Sequence, residues 1–145
     1  AHVMETGTDL LPTGKSYPCS SRRESYDLSS PRLARDLNLD HVFSGLTVGR
    51  LAEIHHPNRK MKIRMSASQD FTHCVVYTMQ KEKFICVEHQ TCSTDAVNLF
   101  WVYEEEFKGE EDSLIYKMAH LNDHLMILDP GQIHTGFIQY KVETY

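Results

Sequence analysis

The amino-acid sequence predicts an all-β protein, an antiparallel β-sandwich, and three observations support this. Short segments alternate apolar and polar side chains with the period of two that is typical of a half-buried strand. Two such segments, 71–79 and 84–88, flank a polar turn over 78–83 and should pair as a hairpin. No long helical pattern with capping residues is found in the sequence, so strands rather than helices should build the core.

Length and composition fit one folded domain. The 145 residues suffice for a core and are too few to argue for two domains. Hydrophobic residues make up 41% and charged residues 24%, which is ordinary for a globular protein and argues against wholesale disorder. The net charge of −5 indicates no basic face, so we expect no nucleic-acid partner and a neutral ligand rather than a polyanion.

Compartment and bound groups can also be predicted. No apolar run approaches the roughly 20 residues of a membrane span, and no signal peptide precedes Glu5, so we expect no membrane partner. The four cysteines lack both the close pairs of a zinc site and the density of a disulfide framework. They should be reduced and structural, which predicts a cytoplasmic protein. No metal site and no cofactor are expected. These cysteines are Cys19, Cys74, Cys86 and Cys92.

The N-terminal part of the chain is expected to be mostly irregular. Residues 1–14 show no helix cap and no periodic element, and 9–14 is interpreted as a strand end that runs into a turn. From 15 to 39 the composition is polar and rich in serine, which predicts a long loop. Within it, a short helix is expected over 31–38, with a serine cap and a proline in its first turn.

Strands are expected to dominate the rest of the chain. Residues 46–54 alternate up to a turn at 55–58, and 61–66 alternate with a basic outer face. A Pro-Gly turn at 129–132 should precede the last strand, over 133–142.

The segment 104–123 is mostly acidic and is interpreted as a solvated surface insertion. A calcium site would need oxygen ligands at loop spacing around a turn glycine, and this segment lacks that order.

The polar residues that follow the apolar run 84–87 are the candidate site. The run ends in a carboxylate, an imidazole and a carboxamide, namely Glu88, His89 and Gln90, as expected where a buried strand reaches the rim of a sheet. Desolvation by apolar neighbours would disfavour the charged form of Glu88 and make it a plausible proton acceptor. The alternative is a strand end whose Glu faces water. Gln90 could orient Glu88 or bind a ligand hydroxyl, and a solvated rim amide is the alternative.

Several segments together resemble the C-terminal half of aldose 1-epimerase, or galactose mutarotase-like, proteins. In chain order they are 11–15, 39–43, 75–78, 84–91, 95–98 and 128–132, the last being similar to the family's Leu-x-Pro-Gly-Glu turn. The resemblance implies a large antiparallel β-sandwich of the galactose mutarotase type with a sugar-binding cleft on one face. Residues 1–145 would be a single β domain, the C-terminal part of that sandwich, with 104–123 as an acidic insertion.

The resemblance also implies a reaction and a site. In the family, the Glu that matches Glu88 is the general base that takes the proton of the anomeric hydroxyl. A His protonates the ring oxygen, the ring opens, and re-closure on either face interconverts the anomers. The Asp that matches Asp40 accepts hydrogen bonds from sugar hydroxyls. The expected site is therefore catalytic Glu88 with Asp40, His41 and Gln90 as substrate-binding residues, for a hexose such as galactose or glucose.

The chain departs from the family pattern in its histidines. The family's catalytic His and a second sugar-binding His lie in the N-terminal half, and their motifs are absent here. Many relatives have Glu-Pro-Gln or Glu-Thr-Gln where this chain has Glu88-His89-Gln90. Nine histidines leave room for a substitute acid, and His41 and His89 are nearest to the expected rim in sequence. A single His near a strand end is more often a solvated or capping residue, which is the alternative for both.

Three functions are compatible with these features. The first is an isomerase of the mutarotase type, completed by an N-terminal half-domain or a homo-oligomer partner. The second is a non-catalytic sugar-binding module with a mutarotase-like fold. The third is a β domain that associates through open sheet edges and an apolar face. A serine or cysteine protease is discounted, because no nucleophile elbow is found.

Overall fold

The computed structural model describes residues 1–21, 26–46, 52–79, 84–109 and 123–145. Within these ranges the chain forms eight β-strands, one α-helix and two 3₁₀ turns, at Ala34–Asp36 and Pro57–Arg59. The strands are β1 (His2–Thr6), β2 (Pro12–Pro18), β3 (Asp40–Ser44), β4 (Ala52–His56), β5 (Met61–Ala67), β6 (His73–Met79), β7 (Phe84–Gln90) and β8 (Ile138–Thr144). The helix, α1, spans Ala96–Glu106. None of the helices in these ranges has the length and the apolar composition needed to cross a membrane.

Five strands form one antiparallel sheet in the order β2-β1-β3-β6-β7. The predicted hairpin is confirmed, since β6 and β7 pair along their whole length with Val75 opposite Glu88. β7 continues to Gln90, so Glu88 lies inside the strand and not at its end. The side chains of Glu88 and Gln90 therefore share one face of the sheet, because alternate residues of a strand point to the same side.

The two faces of this sheet bury different clusters. One, the loop face, carries Val3, Phe43 and Val76 and packs against Leu37 and Leu39 from the segment before β3. The other, the helix face, carries a second cluster to which α1 contributes. This cluster consists of Met4, Val42, Leu99 and Tyr103, and Val75 and Phe107 pack against it. Consecutive residues of each strand therefore have different surroundings, because one side chain points to the loop face and the next to the helix face.

Helix α1 docks on the helix face through one side. Leu99 and Tyr103, four residues apart, are both 5% exposed. The Tyr103 hydroxyl donates to the Gly14 carbonyl at 2.9 Å. Gly14 has a positive φ of 84°, and a Cβ there would lie 2.9 Å from the Tyr103 hydroxyl, so a side chain would collide with the docked helix.

The sequence did not predict α1, and two features explain this. Val97, Trp101 and Val102 are more than half exposed, so apolar residues surround the helix and hide its period of 3.6. Asp95 stands at the N-cap in a left-handed conformation and makes no side-chain capping bond. Neither the period nor the cap therefore signalled a helix.

The second sheet has the strand order β4-β5-β8 and two contrasting faces. On the apolar face, Ile54, Ile63 and Val142 are aligned across the three strands. Val142 is 61% exposed, and Tyr140 on the same face is 58% exposed.

The opposite face of this sheet is charged. Glu143 accepts hydrogen bonds from Lys141 at 2.8 Å and from Lys62 at 3.2 Å, which lower its pKa to about 2. On the same face, Arg64 Nε lies 2.6 Å from the carboxylate of Glu53. Arg64 Nη1 also lies 3.5 Å from the Glu143 carboxylate, so the charged residues of β4, β5 and β8 form one connected network.

Several boundaries differ from those predicted. The expected loop over 15–39 begins inside β2, because its polar residues pair with β1 as the edge strand of the sheet. The expected helix over 31–38 is reduced to the single 3₁₀ turn, and the last strand begins at Ile138 rather than at 133. Glu104–Glu106, the start of the expected acidic insertion, belong to α1.

Four predicted features extend outside the described residues. They are residues 22–25 of the loop expected over 15–39, the first part of the strand expected at 46–54, most of the hairpin turn, and residues 110–122 of the acidic insertion.

Candidate functional site

Three of the four predicted site residues lie on the helix face. Asp40 begins β3 opposite Tyr77, and Glu88 lies opposite Val75, so the strand register sets their separation. They are two strands and two residues apart, which corresponds to about 12 Å between their Cα atoms. Gln90 lies two residues beyond Glu88 on the same face. The structure therefore brings Asp40, Glu88 and Gln90 to one surface.

Glu88 is exposed on this surface, which differs from the desolvated position expected from its apolar neighbours in sequence. Two features account for the exposure. β7 is an edge strand of the sheet, and α1 packs on Met4 and Val42, which belong to β1 and β3. The helix thus bounds one side of the candidate site, and the carboxylate of Glu88 remains accessible to a ligand.

His41, the fourth predicted site residue, lies on the loop face. His41 follows Asp40 in β3, so the two side chains point to opposite faces of the sheet. His41 is also opposite Val76, whose side chain belongs to the loop-face core. The Asp40 backbone N–H donates to His41 Nδ1 at 3.0 Å, so the proton of a neutral ring is at Nε2, 3.3 Å from the Tyr26 hydroxyl. Burial lowers the pKa of His41, despite the opposing charge of Asp40.

The surroundings of His41 form a small pocket of about 130 Å³. Its polar lining includes Glu5, which accepts hydrogen bonds from the hydroxyls of Tyr17 at 2.9 Å and Thr13 at 3.0 Å. This pocket is on the far side of the sheet from Glu88. The structure therefore does not bring His41 together with the other three predicted residues.

His89 also points to the loop face, because it lies opposite Cys74, a member of the loop-face core. Its Nδ1 atom is buried and, among the described residues, has no hydrogen-bond partner. Burial lowers the pKa of His89. Neither of the two histidines nearest to the expected rim in sequence therefore shares a face with Glu88.

Two histidines that sequence reasoning missed lie on or beside the helix face. His73 is opposite Gln90 and is fully buried, and its ring centroid lies 6.3 Å from that of His124. Counting alternate residues back from Val75 would have placed His73 on this face. No local sequence pattern places His124 beside this face, because its contact is with Thr91, 33 residues away.

Hydrogen bonds join these histidines to the end of β7. Nδ1 of His124 lies 2.7 Å from the Thr91 carbonyl oxygen. The Thr72 hydroxyl donates to the same oxygen at 3.5 Å and lies 2.9 Å from Nδ1 of His73. The carbonyl that follows Gln90 is thus a shared acceptor.

Within the described part of the chain, no three His, Cys, Asp or Glu side chains are grouped so that they could hold a metal ion. The four cysteines are free thiols. Burial raises the pKa of Cys74, in the loop-face core, to about 11.

Two antiparallel sheets, one of which carries the exposed carboxylates of Asp40 and Glu88 on the same face, define a mostly β protein with a candidate polar site. Comparison with protein families identifies it further. The family model for aldose 1-epimerase matches residues 1–141, and the chain belongs to that family. The resemblance noted in the sequence is therefore confirmed.

A solved structure agrees with this assignment. The crystal structure of a galactose mutarotase-like protein from Clostridium acetobutylicum matches all of this chain with a TM-score of 0.60 and 15% sequence identity. The chain spans 40% of the length of that protein. At this identity the likeness concerns the fold, and it confirms the predicted antiparallel fold of the galactose mutarotase type. Comparison with curated protein sequences gave no match.

Proposed function

We propose that this protein is a carbohydrate isomerase of the aldose 1-epimerase type, which interconverts the α and β anomers of a hexose such as galactose or glucose. The observation that carries the proposal is that Glu88 and Asp40 share the helix face of the sheet, where both are exposed, in a chain of this family. Anomer exchange needs a proton acceptor beside groups that hold a neutral polyol. A face with two carboxylates and an amide offers such groups.

The proposed roles follow from the chemistry of each side chain. The carboxylate of Glu88 takes the proton of the anomeric hydroxyl, and the electron pair of that O–H bond forms the carbonyl of the open-chain aldose. The bond between the anomeric carbon and the ring oxygen breaks, and the ring oxygen takes up a proton. Rotation and re-closure give either anomer. Asp40 accepts hydrogen bonds from sugar hydroxyls, and Gln90 can donate or accept.

The proposal extends to a partner and a location. Because the chain spans 40% of the solved relative, we propose that further parts of such a fold, from an N-terminal half-domain or a second copy, complete the sugar cleft. The free thiols support a cytoplasmic location.

Polarimetry of freshly dissolved α-D-glucose and α-D-galactose tests the enzymatic proposal. The protein should accelerate mutarotation, and Glu88→Gln should reduce the acceleration by about 10² to 10⁴-fold, because the amide keeps the shape and removes the base. Glu105→Gln is the matched control, since Glu105 is an exposed Glu on α1 and the charge change is the same. Equal activity of the wild type and Glu88→Gln would contradict the role of Glu88.

A sugar-binding module is the second candidate function. The observation that favours it is the position of His41 and His89 on the opposite face, which removes both as acids for the Glu88 site. Isothermal titration calorimetry with the same sugars distinguishes the candidates. Binding without accelerated mutarotation would support the module, and neither binding nor acceleration would contradict both proposals.

A further inference from the structure

We infer that strand β8 is the surface through which two copies of this chain associate. Within the described residues, β8 is an edge strand of the β4-β5-β8 sheet, and its seven residues make it longer than β4, the opposite edge. An uncovered edge presents backbone N–H and C=O groups with which a further strand can pair. This surface lies on the other sheet from Glu88, so the association does not depend on the proposed isomerase activity.

The hydrogen bonds that flank β8 show which of its backbone groups are available. The Tyr145 N–H donates to the Lys60 carbonyl at 2.9 Å, and the Ser68 N–H donates to the Phe137 carbonyl at 3.0 Å. Residues of an antiparallel strand alternate between bonding to the neighbouring strand and pointing away from it, so the odd-numbered residues of β8 bond to β5. The backbone groups of the even-numbered residues therefore point away from β5. These residues are Ile138, Tyr140, Val142 and Thr144.

The side chains of β8 determine which partner this edge can accept. Val142 and Tyr140 are more than half exposed on the apolar face, so a partner strand would cover apolar area there. Lys141, whose side chain is 68% exposed on the charged face, is the kind of residue that protects an edge from unspecific pairing. A partner strand therefore needs a carboxylate opposite Lys141 and apolar groups on either side of it.

A second copy of β8 meets both requirements in one register. When two β8 strands pair antiparallel about a two-fold axis at Val142, Lys141 of each copy lies opposite Glu143 of the other. The two Val142 side chains are then opposite each other, and Tyr140 lies opposite Thr144. All of these even-numbered residues have their backbone groups directed toward the partner. An axis at Lys141 or at Glu143 would instead place like charges opposite each other, which is unfavourable.

The carboxylate that would receive the second copy's Lys141 is already held in place. Glu143 lies 3.2 Å from Lys62 and 3.5 Å from Arg64, both on β5 of its own sheet. Pairing in this register would join the two charged faces into one network and the two apolar faces into one continuous surface. The two three-stranded sheets would become one sheet with the strand order β4-β5-β8-β8-β5-β4.

Sedimentation velocity over a series of protein concentrations tests the association. The wild type should form a dimer. Lys141→Glu should raise the dissociation constant by about 10- to 100-fold, because it replaces two opposite-charge pairs with two like-charge pairs. Lys108→Glu is the matched control, since Lys108 is exposed just beyond α1 and the charge change is the same, and it should dimerise like the wild type. Melting temperatures in dilute solution report any effect on the monomer.

A cysteine at the two-fold axis tests the register. The Cα atoms of directly opposite, hydrogen-bonded residues are about 5.5 Å apart, which is within the range of about 4.4 to 6.8 Å that a disulfide spans. Under mild oxidation Val142→Cys should therefore give a covalent dimer, with residue 142 linked to residue 142 in peptide mass spectrometry. Val97→Cys, at a 56% exposed position on α1, is the control, and the wild type gives the background of its own four thiols.

Three results would overturn the inference. The first is a wild type that stays monomeric at its highest soluble concentration. The second is a dimer that Lys141→Glu and Lys108→Glu affect equally, because the contact would then lie elsewhere, for example between the apolar faces. The third is equal cross-linking at positions 97 and 142. If Lys141→Glu also lowers the melting temperature in dilute solution, the cross-link decides, and its absence in Val142→Cys overturns the inference.

Discussion

Replacing Leu99 with Ala should destabilise the protein by about 3 kcal/mol. Leu99 is 5% exposed and packs on Met4 and Val42, so it attaches α1 to the helix face. Removing the equivalent of three buried methylene groups costs about 2.4 kcal/mol in transfer free energy at roughly 0.8 kcal/mol each. The cavity adds to this, and Leu→Ala changes in cores cost about 2 to 5 kcal/mol in total. With a urea m-value of about 2 kcal/mol/M, the unfolding midpoint should fall by about 1.5 M.

Val97→Ala is the matched control for this prediction, because it removes two carbons from the same helix at a side chain that is 56% exposed. Its midpoint should change by the equivalent of less than about 0.5 kcal/mol, as is usual for a surface position. Urea unfolding followed by circular dichroism measures both variants. Similar midpoints for Leu99→Ala and wild type would show that α1 does not stabilise the helix face through Leu99, and the reasoning about how the helix bounds the site would fail.

Two further predictions follow from the perturbed pKa values. Burial raises the pKa of the Cys74 thiol to about 11, so this thiol should resist alkylation at pH 8 in the native protein and react in denaturant. The half-buried Cys86 should react under both conditions. Peptide mass spectrometry measures both reactions, and labelling of Cys74 in the native protein would contradict the prediction. The bonds from Lys141 and Lys62 lower the pKa of Glu143 to about 2, so their stabilising effect is present above the unfolded-state pKa near 4.3 and is lost as the pH falls toward 2. Glu143→Gln should therefore show a flatter decline of melting temperature than wild type between pH 4.5 and 2, and parallel declines in scanning calorimetry would refute this.

Much of the fold was accessible from the sequence because its central hairpin is strongly patterned. Alternation in 71–79 and 84–88, with a polar turn between them, predicts β6 and β7. Their register then places Glu88 on a face that a period of two can identify. The same rule assigns Asp40 and His41 to opposite faces, since neighbours in a strand point in opposite directions. Family spacing alone had grouped these two residues into one site.

The remaining features depend on contacts between distant residues. Helix α1 is formed by a segment whose exposed side includes Val97 and Trp101, so its docking side becomes evident only once Met4 and Val42 are beneath it. The exposure of Glu88 follows from where that helix lies and from the position of β7 at the sheet edge. His124 reaches the end of β7 across 33 residues, and no local pattern encodes such a contact.

The two faces of the β4-β5-β8 sheet should be sensitive to different salts. Sodium chloride screens the charges of the Glu53, Arg64 and Glu143 network, because the Debye length falls to about 3 Å at 1 M. Sulfate, which is excluded from protein surfaces, instead favours burial of apolar area such as that of Val142 and Tyr140. The identity of the anion, and not ionic strength alone, should therefore decide whether concentrated solutions of this protein stay dispersed or self-associate.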